Sequence, residues 1–323
     1  PSAKQLKARL DAGARVFLST DHSAPLLLSL ARHAQKRGHP VLSVKDEAHY
    51  NSGRDAASTQ LLALGDVGVA CTATPDGDVI DMPDLKLTLQ FPLDEAITKG
   101  WCANYRVILP LVTTVEEHLP IEAADLAREH RLGAAALFVV HGMLHDGGRR
   151  AIAYARDVAE AKALVGFLEC ACAFHGVACE AKLVIESTND RQEIYAAFQT
   201  GATYVREARA HGQPDVSKPT LRFLVAVCIL DQCVDLPKCD SILIASPPVS
   251  CQNDVKSAHR AIQRIGRATR PKTGKMHAHA YIFSENDNPW LQQLFDVLTD
   301  FDPGCRARVR VRSSNPATAF TKE

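Results

Sequence analysis

The sequence predicts an α/β fold: two parallel-sheet units with helices on both faces, the first short and incomplete, the second fuller. Three observations lead there. Short apolar runs alternate with helix-like amphipathic stretches, the pattern of a parallel sheet with crossover helices. Polar or acidic residues follow directly on several strand candidates, where open parallel sheets bind ligands. The 323 residues suffice for about two domains. With 46% hydrophobic and 23% charged residues, there is ample apolar surface to bury.

In chain order, GARVFLST (13–20) reads as a strand. APLLLSLARHAQKRG (24–38) reads as a helix closed by Gly38, and PVLSV (40–44) as a strand ending at Lys45-Asp46. DVGVACTATP (66–75) is a further strand, ending at Pro75. Residues 76–86 are polar and turn-rich, and KGWCANYRVILP (99–110) becomes strand-like in its last part. A junction is expected near residues 95–110. Beyond it, 121–132 and 134–144 are helical by spacing, 149–155 is a strand, and 156–174 is a long amphipathic helix. Strands are expected within 180–188, 221–230, 240–246 and 278–283, and helices at 191–201 and 254–269. The domains expected are therefore 1–103, 104–290, and a C-terminal helix, edge strand and tail over 291–323.

Lys and Arg together number 37, as do Asp and Glu, so a basic coat for gripping nucleic acid is excluded and any such contact must be local. No apolar run approaches the ~20 residues of a membrane helix, and no membrane partner is expected. The N-terminus lacks the apolar core of a signal peptide and does not begin with Met, so a processed or partial chain is expected. None of the ten cysteines forms a CxxC. They read as free buried thiols of a reducing intracellular compartment, cytoplasm or nucleus. The close pairs Cys170-Ala-Cys172 and His277-Ala-His279 are too few for a zinc site.

Four motifs bear chemistry. Asp46-Glu47-Ala48-His49 follows a strand, and adjacent carboxylates there suit nucleotide hydrolysis: one can hold Mg²⁺, the other can polarise water. Thr72-Ala73-Thr74-Pro75, again past a strand, offers two hydroxyls that can hydrogen-bond to the acidic motif. Leu230-Asp231-Gln232-Cys233-Val234-Asp235-Leu236-Pro237 places carboxylates where ribose hydroxyls could be met. In Gln263-Arg264-Ile265-Gly266-Arg267-Ala268-Thr269-Arg270, helical spacing puts Gln263, Arg267 and Arg270 on one face, suited to phosphate.

These motifs, in this order, resemble those of the superfamily 2 helicases of DEAD/DEAH type, most closely a restriction-enzyme-like group in which a Ser-Thr-x-His-Ser stretch (here Ser19 to Ser23) precedes the DEAH strand. The resemblance runs from about residue 15 to about residue 290. It implies two RecA-like domains of the P-loop NTPase class, with ATP between them. Asp46 would hold Mg²⁺ through water, Glu47 would be the catalytic base, and His49 would couple the nucleotide site to the second domain. Thr72 and Thr74 would link hydrolysis to strand separation. Asp235 would sit by the ribose or the interdomain contact, Gln263 would sense the γ-phosphate region, and Gly266 would lie at the nucleotide. Arg267 and Arg270 would be the arginine fingers. Arg191 matches a position where relatives often carry Arg. The sequence departs from the pattern in three places: it contains no G-x-x-x-x-G-K-[ST], Lys45 stands where an apolar residue is usual, and Cys233 where Gly is common. A first domain lacking its P-loop strand and helix is thus expected.

DNA or RNA would run across both domains, with Thr20 and Ser23 on the first and Ser187, Thr188 and Asn189 on the second as phosphate contacts. Arg306, Arg308, Arg310 and Arg312 alternate, as on one face of an extended strand: either a phosphate-contacting ribbon or a charged edge that resists pairing. His145 to Arg150 reads as a turn. The function expected is an ATP-dependent helicase or translocase. The alternatives are a non-catalytic helicase-derived module for nucleic acid or partner docking, and the motor of a restriction or repair complex.

Overall fold

The computed structural model describes residues 2–18, 23–46, 57–72, 91–111, 121–201, 219–231, 234–246, 255–275, 277–284 and 288–313. Its contacts divide into two compact units, Pro1–Gln90 and Phe91–Glu323.

The first unit opens with α1 (Ala3–Asp11), started by a capping box in which Ser2 and Gln5 exchange backbone-to-side-chain hydrogen bonds. α2 (Ala24–Lys36) has Pro in its first turn and is left at Gly38, whose φ of +75° is natural to glycine. Leu6 and Leu10 of α1 pack with Leu30 and Ala34 of α2. β1 (Leu42–Lys45), α3 (Ala57–Leu64) and β2 (Val67–Ala70) complete the unit, with β1 and β2 parallel in the register Leu42↔Val67 to Lys45↔Ala70.

Two expectations are corrected here. Residues 14–18 are not a strand, and Val16 and Leu18 are exposed; β-branched character favours a strand only where a sheet offers a surface to pack on. β2 stops at Ala70, well short of Pro75. In β1 the alternation is inverted: Ser43 and Lys45 are buried, while Leu42 and Val44, together with Val67 and Val69 of β2, are exposed. Lys45, unusual for its position, thus lies on the covered face of the strand.

The second unit begins with α4 (Leu93–Thr98), β3 (Asn104–Leu111), α5 (Ile121–Asp146), β4 (Arg150–Tyr154), α6 (Val158–Phe174) and β5 (Cys179–Val184). It continues with α7 (Arg191–Thr200), β6 (Leu221–Ala226), β7 (Ser241–Ile244), α8 (Val255–Ala268), β8 (His277–Ile282), α9 (Pro289–Phe301) and β9 (Val309–Ser313). The strands form one seven-stranded sheet in the order β5-β6-β4-β7-β8-β3-β9. Every pairing is parallel. Alternate strand residues enter two cores. Ile152, Leu224, Ile242 and Ala280 face α7, α8 and α9, whereas Ala153, Phe223, Leu243 and Tyr281 face α5 and α6. This is the α/β architecture expected, buried on both faces as parallel sheets are.

The two helices read over 121–132 and 134–144 are one 26-residue helix, α5. The arginine alternation fails as a ribbon, because Cys305–Arg308 is a 3₁₀ turn and only Arg310 and Arg312 lie on β9. Arg308 instead grips the buried Asp302 at 2.9 Å, which also accepts from the Tyr105 hydroxyl at 2.6 Å. Arg312 makes two 2.7 Å bonds to Asp146. His145 and Asp146 belong to the end of α5, and the turn begins only at Gly147. Although burial works to raise the Asp146 carboxyl, hydrogen bonds from Arg312 and His145 bring it down to about 2. Cys172, Cys239 and Cys305 are buried as expected of free thiols, but Cys71, Cys170 and Cys228 are exposed. No described helix is long and apolar enough to cross a membrane.

Candidate functional site

In the first unit, β1 and β2 end side by side. Cys71 N–H donates to the Lys45 carbonyl at 2.8 Å, which aligns Thr72, half-buried, with the exposed Asp46 just past the carboxyl edge of the pair. An exposed carboxylate there is a hard oxygen donor of the kind Mg²⁺ accepts with water between. Ser23 is half-buried ahead of α2 and makes no side-chain bond to that helix. Thr20, Glu47, His49 and Thr74 lie outside the described residues.

In the second unit, the chain after β6 runs back to the start of β7 as Val234-Asp235-Leu236-Pro237 and is held against the end of α8 by cations. Arg267, 8% exposed, donates to the Val234 carbonyl at 2.8 Å, and Arg270 donates to the same carbonyl at 2.9 Å. Arg270 also pairs with the Asp235 carboxylate, whose side chain is 78% exposed. Lys275 donates to the carbonyls of Pro237, Ala268 and Arg270 at 3.2, 2.8 and 2.8 Å. Burial pulls its pKa down, against the opposing pull of Cys239 and Asp240. From α7, the Gln199 amide accepts from Lys238 N–H at 3.1 Å and reaches the Asp235 carbonyl at 3.5 Å. Gln263 is half-buried on α8, and Gly266 is exposed with open space where a Cβ would stand. The structure therefore brings together Asp235, Arg267 and Arg270, but Arg270 lies two residues beyond the helix and not on its face. Two guanidinium groups beside an exposed carboxylate suit a ligand with phosphates and a sugar diol.

Ser187 is exposed, and the Thr188 hydroxyl accepts from Ile185 N–H at 3.0 Å while its carbonyl takes the Arg191 Nε at 3.0 Å. Arg191 thus braces the loop ahead of α7.

Sequence reasoning passed over two arrangements. Arg264, 4% exposed, lies with its guanidinium carbon 4.2 Å from the Tyr154 ring centroid and donates to the Val227 carbonyl at 3.1 Å. The signal was available: Ser257, Ala261, Arg264 and Ala268 form one stripe at helical spacing, and all are buried. Past the carboxyl ends of β4 and β7, the buried Glu160 accepts from Ser246 at 2.5 Å, Arg131 donates to that hydroxyl, and Arg156 stands 3.7 Å from the carboxylate. They come from α5, α6 and the segments after β4 and β7, so no local spacing announces them.

No family model matches the sequence, and no curated protein matches it. Solved structures do. One is the ATP-dependent Type ISP restriction-modification enzyme LlaBIII bound to DNA, 18% identical, with a TM-score of 0.66 over 98% of this chain and 25% of that one. Another is a fragment of a protein described as an HsdR subunit of a type I restriction enzyme from Vibrio vulnificus YJ016, 19% identical, with a TM-score of 0.55 over 84% of this chain and 48% of that one. The chain spans about a quarter of the first and about half of the second. It shares the α/β fold of these two structures, and its seven-stranded parallel sheet is RecA-like.

Proposed function

We propose that this chain is part of an ATP-dependent, nucleic-acid-stimulated translocase or helicase. The observation that carries this is the convergence of Arg267 and Arg270 on Val234, beside the exposed Asp235, within a fold shared with an ATP-dependent restriction enzyme. An arginine already held by a backbone carbonyl, as Arg270 is, can meet phosphate at little further ordering cost, and such groups stabilise the charge of phosphoryl transfer. Asp235 is suited to ribose hydroxyls. On the first unit, Asp46 would hold Mg²⁺ through water, which when bound neutralises phosphate charge. Glu47 would orient and deprotonate the attacking water. His49, Thr72, Thr74 and Gln263 would relay the nucleotide state, with Gly266 leaving room at the helix surface. Thr20, Ser23, Ser187 and Thr188 would contact nucleic-acid phosphates. The polymer is DNA or RNA, and the restriction enzymes that share the fold, one of them bound to DNA, favour DNA and a restriction or repair assembly.

The test is ATP turnover by this chain and by the protein as the cell makes it, with and without single-stranded DNA and RNA. This sequence contains no G-x-x-x-x-G-K-[ST], so the chain alone should turn over ATP very weakly or not at all. The cellular protein should be stimulated by nucleic acid and silenced by Glu47→Gln. A cellular protein that binds DNA but neither binds nor hydrolyses ATP would instead be a helicase-derived docking module.

A further inference from the structure

The start of the second unit holds a solvent-facing aromatic pair that none of the roles above uses. Phe91 and Trp101 stack with ring centroids 4.6 Å apart and planes tilted by 30°. The turn that presents them is fixed: Gly100 takes φ +74°, and the N–H groups of Trp101 and Cys102 donate to the Ala96 carbonyl at 2.9 and 3.3 Å. Lys99, paired with Glu95 at 2.7 Å, holds its ammonium 4.6 and 5.1 Å from the two ring centroids. Yet Trp101 is 57% exposed and Phe91 37% exposed. Trp290, by contrast, is fully buried and donates to Ser257 at 2.9 Å. A rigid turn and a bracing cation thus present an indole face to solvent.

Its place gives that face a use. Two residues on, Ala103 N–H donates to the Thr269 carbonyl at 2.7 Å, so the loop bearing Trp101 is bonded to the residue beside Arg270. We infer that Trp101, braced by Phe91 and Lys99, is the stacking surface for the purine base of the nucleotide that Arg267, Arg270 and Asp235 serve. This rests on the nucleotide reading of those three residues and adds base recognition to it. Single-stranded nucleic acid also stacks on aromatic side chains. The exposed Asp235 carboxylate decides between the two: it suits a free ribose diol, which a mononucleotide carries and the esterified sugars within a polymer do not.

Trp101 is one of two tryptophans, and the other is shielded, so its emission reports directly on stacking. The experiment titrates ATP, ADP and tripolyphosphate into the wild-type chain, Trp101→Leu and Trp101→Phe. It follows fluorescence, and separately measures binding by equilibrium dialysis, with circular dichroism confirming that all three are folded. ATP and ADP should quench the wild type. Trp101→Leu should bind ATP about tenfold more weakly, the scale of one lost base stack. Trp101→Phe should keep most of the affinity, and tripolyphosphate, which has no base, should bind all three alike. Equal ATP affinity in wild type and Trp101→Leu would overturn the stacking role and leave the nucleotide reading intact. A wild-type chain that binds no nucleotide would overturn the stacking role, while the nucleotide reading itself is decided by ATP turnover of the cellular protein. Quenching by a single-stranded oligonucleotide but not by ATP would assign the surface to a polymer and overturn the proposal.

Discussion

Arg267 and Arg270 share one acceptor: both guanidinium groups donate to the Val234 carbonyl, from 2.8 and 2.9 Å. One comes from inside α8 and the other from just beyond it, so the return segment before β7 is clamped to the end of that helix at this carbonyl, and again through Asp235 and Pro237. The partners differ in solvation. Arg267 is 8% exposed, whereas Arg270 reaches outward to an Asp235 that is 78% exposed.

That difference separates their contributions to stability. Arg267→Ala removes a buried charge-assisted hydrogen bond and should cost about 2 kcal/mol. Arg270→Ala removes a solvated pair and should cost about 1 kcal/mol or less. Urea unfolding of the two variants tests this, and equal costs would contradict the division. Should the nucleotide reading hold, Arg270→Ala should lose ligand affinity despite its small structural cost.

The carboxylate of Asp302 is fully buried and held by Tyr105 and Arg308. Arg308→Ala would strand it and should cost about 3–5 kcal/mol, whereas Tyr105→Phe removes one hydrogen bond and should cost about 1–2 kcal/mol. Adding Asp302→Asn to Arg308→Ala should recover part of the loss, since no charge then remains buried. Failure of that rescue in denaturant unfolding would show that Arg308 acts through packing, not charge.

Asp302 and Tyr105 also mark where the sequence stops being legible. The strands of the second unit are readable because a parallel sheet buried on both faces demands near-continuous apolar runs, and Ala-Ile-Ala-Tyr or Ser-Ile-Leu-Ile can scarcely be anything else. The cluster of Asp235, Arg267 and Arg270 was visible because its members sit in two short motifs. The Tyr105–Asp302–Arg308 and Asp146–Tyr281–Arg312 networks were not, since their members come from distant strands, turns and the end of a helix. The arginine alternation over 306–312 misled because the 3₁₀ turn resets the phase before Val309. GARVFLST misled because an apolar run specifies a strand only if a sheet is there to receive it. Trp101 gave no signal at all: its exposure is a tertiary fact.

Gly142 lies within α5, where alanine would ordinarily gain about 1 kcal/mol. A Cβ there would stand 2.2 Å from the ring of Tyr281, which is fully buried and donates to Asp146 at 2.9 Å. Gly142→Ala should therefore destabilise by about 1–3 kcal/mol or more. Gly166→Ala, exposed on α6 with nothing within 4 Å of the new methyl, should stabilise by about 0.5–1 kcal/mol. Opposite signs from one substitution in two helices, read as shifts in melting temperature, are the test; two shifts of the same sign would contradict the packing argument.

The sheet should also make folding sensitive to mild acid through His279. This side chain is 5% exposed, with its ring 6.2 Å from that of Tyr281. Burial lowers its pKa, the charges of Arg106, His277 and Arg312 lower it further, and Asp146 opposes; the result falls from the ordinary 6.5 to about 4. The unfolded chain therefore takes up a proton near pH 6.5 that the folded chain refuses until about pH 4. Between those values the unfolded state binds more protons, so stability rises with pH. The contribution is complete above pH 6.5 and is lost as the pH falls to about 4, on the order of 3 kcal/mol in all. Asp146, held down to about 2, acts in the same direction but only below its ordinary 3.8. Unfolding free energies measured from pH 7.5 to 4 should thus decline steadily in the wild type and less steeply in His279→Leu. Profiles of equal slope would mean that His279 takes up its proton at the same pH in the folded and the unfolded chain and that its burial is relieved by water.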